Sequence, residues 1–303
     1  MIWKLPQREV RFPRRPLVMG IINVNDDSFS GDGTLDLAEA LAIARAQAEA
    51  GADVIDVGAE SARTNRQAVA VDEEVRRFAG FLEAWPEVVA KTKRRDADQL
   101  WPPVVSANTW RPEVVAAVLP LGVELVNDMG GLPDDRNARL CAAAGASLLI
   151  MHTIGPPKVA QLEQRWPDVM AALEEFFDEK IRMAEEAGLP REAIVLDPGI
   201  DFAKQRDDNL TIYRELERLN RFGRPLMVPV SRKTMIGEVL DLPEPADRDA
   251  GTMACIAAAV RRGAAMVRVH EVAGAWQAVR MLQATGSGAF HPSPEALAKG
   301  EAP

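Results

Sequence analysis

Arg268 and His270 stand two residues apart at the end of an apolar run, so in an extended strand both side chains leave the same face. With Arg63, which follows another apolar run, they make a set of cations able to grip a phosphate or diphosphate through charge-assisted hydrogen bonds. Each has a plainer reading alone: a strand-end arginine usually makes a surface ion pair, and a lone histidine is usually structural. Asn23 closes a further run and offers a neutral amide oxygen. That suits the single protein ligand of a Mg2+ ion otherwise held by water and phosphate oxygens. A second group is flat and polar. Asn108, Asn127, Asp197 and Lys233 also close apolar runs. A carboxylate among amides fits a heterocycle with an amidine-like edge. Asp197 accepts two ring N–H groups, while Asn127 and Lys233 meet ring nitrogen and oxygen acceptors. The alternative for Asp197, within Asp197-Pro198-Gly199, is a turn residue.

Eight short apolar runs carry these residues. They are Leu17–Ile22 into Asn23, Val54–Val57 into Glu60, Val104–Val105 into Asn108, Glu124–Val126 into Asn127, Ser147–Met151 into His152, Ala193–Leu196 into Asp197, Leu226–Val230 into Ser231-Arg232-Lys233, and Ala265–Val269 into His270. Helical stretches separate them: Leu35–Ala50 stopped by Gly51, one starting near Val71 with an acidic first turn, Pro112–Leu119, Asp134–Ala144, Asp168–Ala187, Asp208–Asn220, one broken near Pro243–Pro245 that resumes over Asp247–Arg262, and Gly274–Ala284. Strand then helix eight times over predicts an α/β fold, a single (β/α)8 TIM barrel, whose site lies at the carboxyl ends of the strands. Residues 1–16 are expected to form an arm or hairpin, 17–285 the barrel, and 286–303 a disordered tail. The polar segment Lys91–Leu100 reads as an excursion at the bottom of the barrel, with a solvated helix end as its simplest form.

A chain of 303 residues, 47% hydrophobic, is long enough for one such barrel with extensions. Its 36 basic and 45 acidic side chains give a net charge of −9, which argues against nucleic-acid and anionic-membrane partners. Cys141 and Cys255 read as free thiols in alanine-rich helices. The first sixteen residues lack the apolar segment of a signal peptide, and no run approaches the roughly 20 apolar residues of a membrane helix, so a cytoplasmic enzyme is expected.

Several motifs resemble, in order, those of the dihydropteroate synthase family. They are Met19-Gly20-Ile21-Ile22-Asn23-Val24 with Asp27-Ser28-Phe29-Ser30, Ile55-Asp56-Val57-Gly58 with Glu60-Ser61 and Arg63, and Val126-Asn127-Asp128. Downstream come Met151-His152, Leu196-Asp197-Pro198-Gly199, Ser231-Arg232-Lys233 with Met235-Ile236-Gly237, and Arg268-Val269-His270. The likeness runs from about Leu17 to Ala284. It implies a pterin-binding barrel that joins 6-hydroxymethyl-7,8-dihydropterin diphosphate to an arylamine, normally p-aminobenzoate, and releases diphosphate. It further implies Mg2+, a homodimer and competition by sulfonamides.

The resemblance also implies roles. Asp197, Asn127 and Lys233, together with Asn108, Asp56 and Met151, would hold the pterin. Arg63, Asn23, Arg268, His270 and Mg2+ would hold the diphosphate. Phe202, Ser231 and Lys233 would lie below the arylamine, with Ala62 on its wall. Lys233, Arg268, His270, Arg63 and Asp27 would be catalytic. The carbon–oxygen bond would break early, and the amine would attack the resulting pterin methyl cation.

The departures cluster. The family's Asn-x-Thr-Pro-Asp-Ser-Phe is here Asn23-Val24-Asn25-Asp26-Asp27-Ser28-Phe29, and its Asp-Gly-Gly is Gly31-Asp32-Gly33. Its Glu-Ser-Thr-Arg-Pro-Gly is Glu60-Ser61-Ala62-Arg63-Thr64-Asn65. Its strand-end aspartate is Asn108, and its Gly-Phe-Gly-Phe-Gly-Lys is Gly199-Ile200-Asp201-Phe202-Ala203-Lys204. The pterin and diphosphate groups are mostly kept, while the arylamine loops are rewritten. Weaker sulfonamide inhibition is therefore expected. The second reading of the chain is a pterin-binding paralogue with another amine acceptor, or with no synthase activity.

Overall fold

The computed structural model describes residues 1–25, 33–60, 68–159, 161 and 164–285. Eight parallel strands close into a barrel: β3 (Leu17–Asn23), β4 (Val54–Gly58), β5 (Val104–Asn108), β6 (Leu125–Asp128), β7 (Ser147–Met151), β8 (Ile194–Asp197), β9 (Leu226–Pro229) and β10 (Ala264–Val269), with β10 pairing back onto β3. Ahead of them, β1 (Ile2–Lys4) and β2 (Glu9–Arg11) form an antiparallel hairpin. The helices are α1 (Leu37–Ala50), α2 (Val71–Ala90), α3 (Pro112–Val118), α4 (Arg136–Ala144), α5 (Val169–Glu186), α6 (Arg206–Glu215), α7 (Thr234–Leu240), α8 (Asp249–Val260) and α9 (Val272–Ala284).

Alternation along each strand sorts the side chains into two cores. Val18, Ile55, Val57, Val126, Leu148, Ile150, Ile194, Leu196, Val228 and Val267 point outward and pack under the helices. Leu17, Met19, Val54, Val104, Leu125, Leu149, Met151, Val195, Met227 and Met266 fill the interior. Two residues further along the same strands the interior turns polar, at Asp56, Ser106, Asn127, Asp197 and Arg268. An apolar floor thus carries a polar layer, as a barrel with its site at one end requires.

The hairpin closes the opposite end. Trp3, Leu5, Val10 and Phe12 join the interior cluster, and the fully buried Trp3 indole donates to Ser147 Oγ at 2.7 Å. Beside it, buried Arg15 pairs with Asp53 at 2.7 and 2.9 Å, and Asp53 also accepts from the backbone of Val18 and Leu100.

Local signals set the helix ends. Asp36 accepts from Ala38 N and Glu39 N and caps α1, which Gly51 ends in a left-handed turn at φ 110°. Two expectations are corrected. The 91–100 segment is not a helix end but a run of turns pinned to its neighbours. Gln99 donates to the Ala48 and Ala52 carbonyls, and Asp96 accepts from the Trp276 indole. The helix predicted over Asp208–Asn220 is α-helical only to Glu215, and Leu216–Phe222 tighten into 3-10 turns. The break expected near Pro243–Pro245 is present and separates α7 from α8. Asp241 adopts φ 55° at the end of α7, and Pro243 and Pro245 withhold the N–H groups a continuous helix needs.

Candidate functional site

A cavity of about 610 Å³ opens at the carboxyl ends of the strands. Ten of the residues singled out from the sequence line it: Asn23, Asn108, Asn127, Met151, Asp197, Phe202, Ser231, Lys233, Arg268 and His270. Asp56 lies fully buried against Asn108, Asn127 and Arg268 of this lining. Asp27, Ala62 and Arg63 lie outside the described residues.

Asp56 is the hub of the polar layer. Its carboxylate accepts from Ser106 Oγ at 2.5 Å, Arg268 Nε at 2.7 Å, Asn127 Nδ2 at 3.1 Å and Asn108 Nδ2 at 3.4 Å. Four strands are thereby tied through one carboxylate. The consequence for Asn108 is specific. Its amide nitrogen faces Asp56, and its buried Oδ1 has no hydrogen-bond partner among the described residues. A buried acceptor left open in this way can take a ligand N–H. An aspartate here would set two carboxylates side by side, so the amide keeps the acceptor while removing the repulsion.

Asp197 sits at the end of β8, and its Oδ1 accepts from Gly199 N at 2.7 Å. It is therefore both a turn residue and a cavity residue. Burial pushes its carboxyl up to about 6, the Gly199 N–H and the nearby Lys233, Lys204 and Arg268 cations opposing the rise. Gly199 itself cannot carry a side chain. Its φ is 67°, and a Cβ would stand 2.0 Å from the His152 carbonyl oxygen.

The β8–α6 loop is built around Lys204, a residue the sequence reading quoted but did not place in the site. Its buried ammonium reaches His152 Nδ1 at 2.8 Å and donates to the carbonyls of Phe202 at 2.9 Å and Gly199 at 3.0 Å. Burial lowers Lys204 to about 7. Burial, then the Lys204 charge, lowers His152 to about 2, so that imidazole is neutral. His152 packs between Trp166 and Phe176, at 5.3 and 4.8 Å between ring centres.

Lys233 donates to the Ile200 carbonyl at 2.9 Å and lies 5.4 Å over the Phe202 ring. His270 Nδ1 and Ser231 Oγ share a hydrogen bond of 2.9 Å. Arg268 uses only its Nε, toward Asp56. Its two terminal nitrogens make no hydrogen bond among the described residues, which leaves a paired donor for an anion. Arg232, between Ser231 and Lys233, instead makes a two-point pair with Asp249 at 2.8 and 3.0 Å.

At the rim, Glu60 accepts an ion pair from Lys158 at 3.0 Å, and Arg111 pairs with Glu74 at 2.9 Å. The first tie joins the loop after β7 to the end of β4, and the second joins the loop after β5 to α2. For metal ions, no cluster of three His, Cys, Asp or Glu groups occurs among the described residues. Asn23 at the end of β3 offers one neutral amide oxygen beside the cavity. Such a donor set fits Mg2+ only where a substrate's phosphate oxygens supply further ligands.

The comparisons with known proteins agree with this geometry. The profile of the family described as "Pterin binding enzyme" matches residues 19–270. The chain is 35% identical over 271 residues to the dihydropteroate synthase of Escherichia coli K12, covering 89% of this chain and 92% of that protein. Among solved structures, a Yersinia pestis dihydropteroate synthase with a sulfonamide drug complex superposes with a TM-score of 0.84 at 31% identity, covering 95% of this chain and all of that one. A Xanthomonas albilineans dihydropteroate synthase with 4-aminobenzoic acid does so with a TM-score of 0.81 at 33% identity, covering 94% and 98%.

Proposed function

The chain belongs to the pterin-binding enzyme family, and from that premise we propose how its cavity divides the work of the reaction. It is a transferase of the dihydropteroate synthase type. It condenses 6-hydroxymethyl-7,8-dihydropterin diphosphate with p-aminobenzoate to give 7,8-dihydropteroate and diphosphate, a step of folate biosynthesis. The observation that carries the division is the junction of two groups at one end of the barrel. Asn108, Asn127, Asp197 and Lys233 adjoin Arg268 and His270 around a single cavity.

In this reading the pterin lies on the polar layer. Asp197 and the open Oδ1 of Asn108 accept ring N–H groups, and Asn127 and Lys233 meet the ring acceptors. Met151 supplies an apolar contact from the floor. The diphosphate faces the terminal nitrogens of Arg268 and the ring of His270, together with Arg63. Asn23 would hold a Mg2+ ion. When bound, that ion neutralises charge on the leaving group. Arg268 does the same from a fixed position, because Asp56 already holds its Nε, so little reorganisation accompanies bond breaking. Phe202, Ser231 and Lys233 form the acceptor's side of the cavity. Asp27, Ala62 and Arg63, which follow β3 and β4 in sequence, are assigned to the same reaction by the family resemblance.

The chain is also proposed to form a homodimer in the cytoplasm. Val239 and Leu240 on α7 and Met281 on α9 are large apolar side chains left exposed, which supports a partner surface. Cys141 and Cys255 are free thiols, and no described helix is long and apolar enough to cross a membrane.

The test is diphosphate release by purified protein given Mg2+ and the dihydropterin diphosphate, with and without p-aminobenzoate. Release that depends on p-aminobenzoate, with dihydropteroate as product, is expected. Tight pterin binding without such release would overturn the synthase reading in favour of a paralogue.

A further inference from the structure

Asp201 holds a conformation that suits glycine, φ 69°, on the wall of the cavity. Three contacts keep it there. Its carboxylate accepts from Thr234 N at 2.6 Å and Asn209 Nδ2 at 3.0 Å, and its own N–H donates to Asn209 Oδ1 at 3.0 Å. The carboxylate therefore stands between Phe202, its chain neighbour, and the residue that follows Lys233. Phe202 and Lys233 are among the groups assigned above to the arylamine.

Cations share this side of the cavity with Asp201, and each already has a partner within the protein. Lys233 is turned onto the Ile200 carbonyl, and among the charges acting on it Asp201 is the largest that favours its protonated form. Lys204 is directed inward onto His152 and backbone carbonyls. Arg206 pairs with Asp207 at 3.1 Å. Glu238, a further acid of the lining, adds negative charge. A carboxylate brought in on the far end of an arylamine meets Asp201 in this setting, and like charges a few ångströms apart repel.

We propose that Asp201 sets the charge preference of the acceptor side, disfavouring arylamines with an anionic para substituent relative to neutral ones of the same shape. The assignment rests on the synthase reading above for where the arylamine lies. It is a specificity role, since Asp201 takes no part in bond making.

The experiment compares p-aminobenzoate with the neutral p-aminobenzamide. Each is titrated calorimetrically into protein saturated with 6-hydroxymethyl-7,8-dihydropterin and inorganic diphosphate, a mixture that does not react forward. Asp201→Asn removes the charge and tolerates a positive φ. Asp201→Gly removes the side chain and the backbone constraint together. Both variants are expected to improve p-aminobenzoate affinity on the order of tenfold and to change p-aminobenzamide affinity less than about twofold. The wild-type preference for the amide is expected to shrink with added salt, which a merely structural role does not predict. Equal shifts for both amines, an unchanged ratio, or no arylamine binding at all would overturn the proposal. Diphosphate release is measured in parallel on the same protein. A shifted binding ratio without turnover would overturn the synthase reading and leave the role of Asp201 standing.

Discussion

Arg268→Ala separates two things one side chain does. Arg268 is placed to meet the leaving diphosphate, and it is also the cationic partner of a fully buried carboxylate, with Nε 2.7 Å from Asp56 Oδ2. Loss of one well-placed oxyanion donor costs about 2.7–4 kcal/mol, so kcat/KM should fall by about 10²–10³. Removing one partner of a buried ion pair costs about 3–5 kcal/mol of stability. Here Ser106, Asn127 and Asn108 still donate to Asp56, so the loss should fall at or below the low end, about 2–3 kcal/mol. For a chain of this length that is a drop in Tm of about 4 °C. The double variant Asp56→Asn/Arg268→Ala removes the stranded charge. It should regain most of the lost stability by thermal denaturation and none of the lost rate in the diphosphate-release assay. An Arg268→Ala protein with unchanged kcat/KM would remove Arg268 from the mechanism. A double variant with restored rate would show that Arg268 acted only by neutralising Asp56.

Asp197, pushed up to about 6 by burial, should make pterin binding weaken as pH falls through that value, because only the carboxylate accepts two N–H groups; calorimetric titration of the dihydropterin should show the loss, and Asp197→Asn should abolish the pH dependence with the affinity. The sign for folding is opposite. The folded carboxyl binds protons more tightly than the unfolded one, so the unliganded chain should lose stability as pH rises from about 4 to about 6. Asp128 carries the same sign, and denaturant titrations of Asp197→Asn isolate the Asp197 share. Trp3→Ala should cost about 3–5 kcal/mol in urea denaturation, since the indole is fully buried and donates to Ser147, while KM at the far end of the barrel stays unchanged. Asn108→Asp should set a carboxylate against Asp56, so that its Tm falls with rising pH relative to wild type; parallel Tm curves would show that Asp56 does not feel position 108.

What could be read from the sequence follows from periodicity. A parallel strand ends its apolar run where it leaves the barrel, so Asn23, Asn127 and Asp197 announce themselves as the first polar residues after hydrophobic ones. The two-residue alternation places Arg268 on the inner face. The same alternation, followed from Asn108, would have found Ser106 two residues earlier. Other features have no periodic signature. Lys204 acts from a loop by meeting backbone carbonyls, and Asp201 and Ala203 hold positive φ, at 69° and 51°, without being glycine. The tie between Glu60 and Lys158 joins residues 98 positions apart, through loops whose approach no local pattern encodes. The 3-10 ending of α6 is a matter of local geometry over Leu216–Phe222 that composition does not distinguish from α-helix.

The polar layer explains why this site can be rigid without its ligands. Asp56 has no net need of a substrate, since four donors from β5, β6 and β10 already satisfy it. Those donors are in turn fixed on the side that faces Asp56 and open on the side that faces the cavity: Asn108 through its Oδ1, Arg268 through its terminal nitrogens. One buried carboxylate thus orients several groups at once, and its desolvation is offset by contacts within the protein rather than by the substrate. Binding then adds partners to groups that are already aimed, so less of the interaction energy is lost to ordering them. The apolar floor of Met19, Val54, Leu125, Leu149 and Met227 is what keeps water from competing beneath that layer. A cavity introduced there, for example by Met227→Ala, should therefore raise the mobility of Arg268 and lower kcat more than it raises KM for the pterin. Steady-state kinetics showing the reverse split would mean that the layer is held in place from its rim, and not from below.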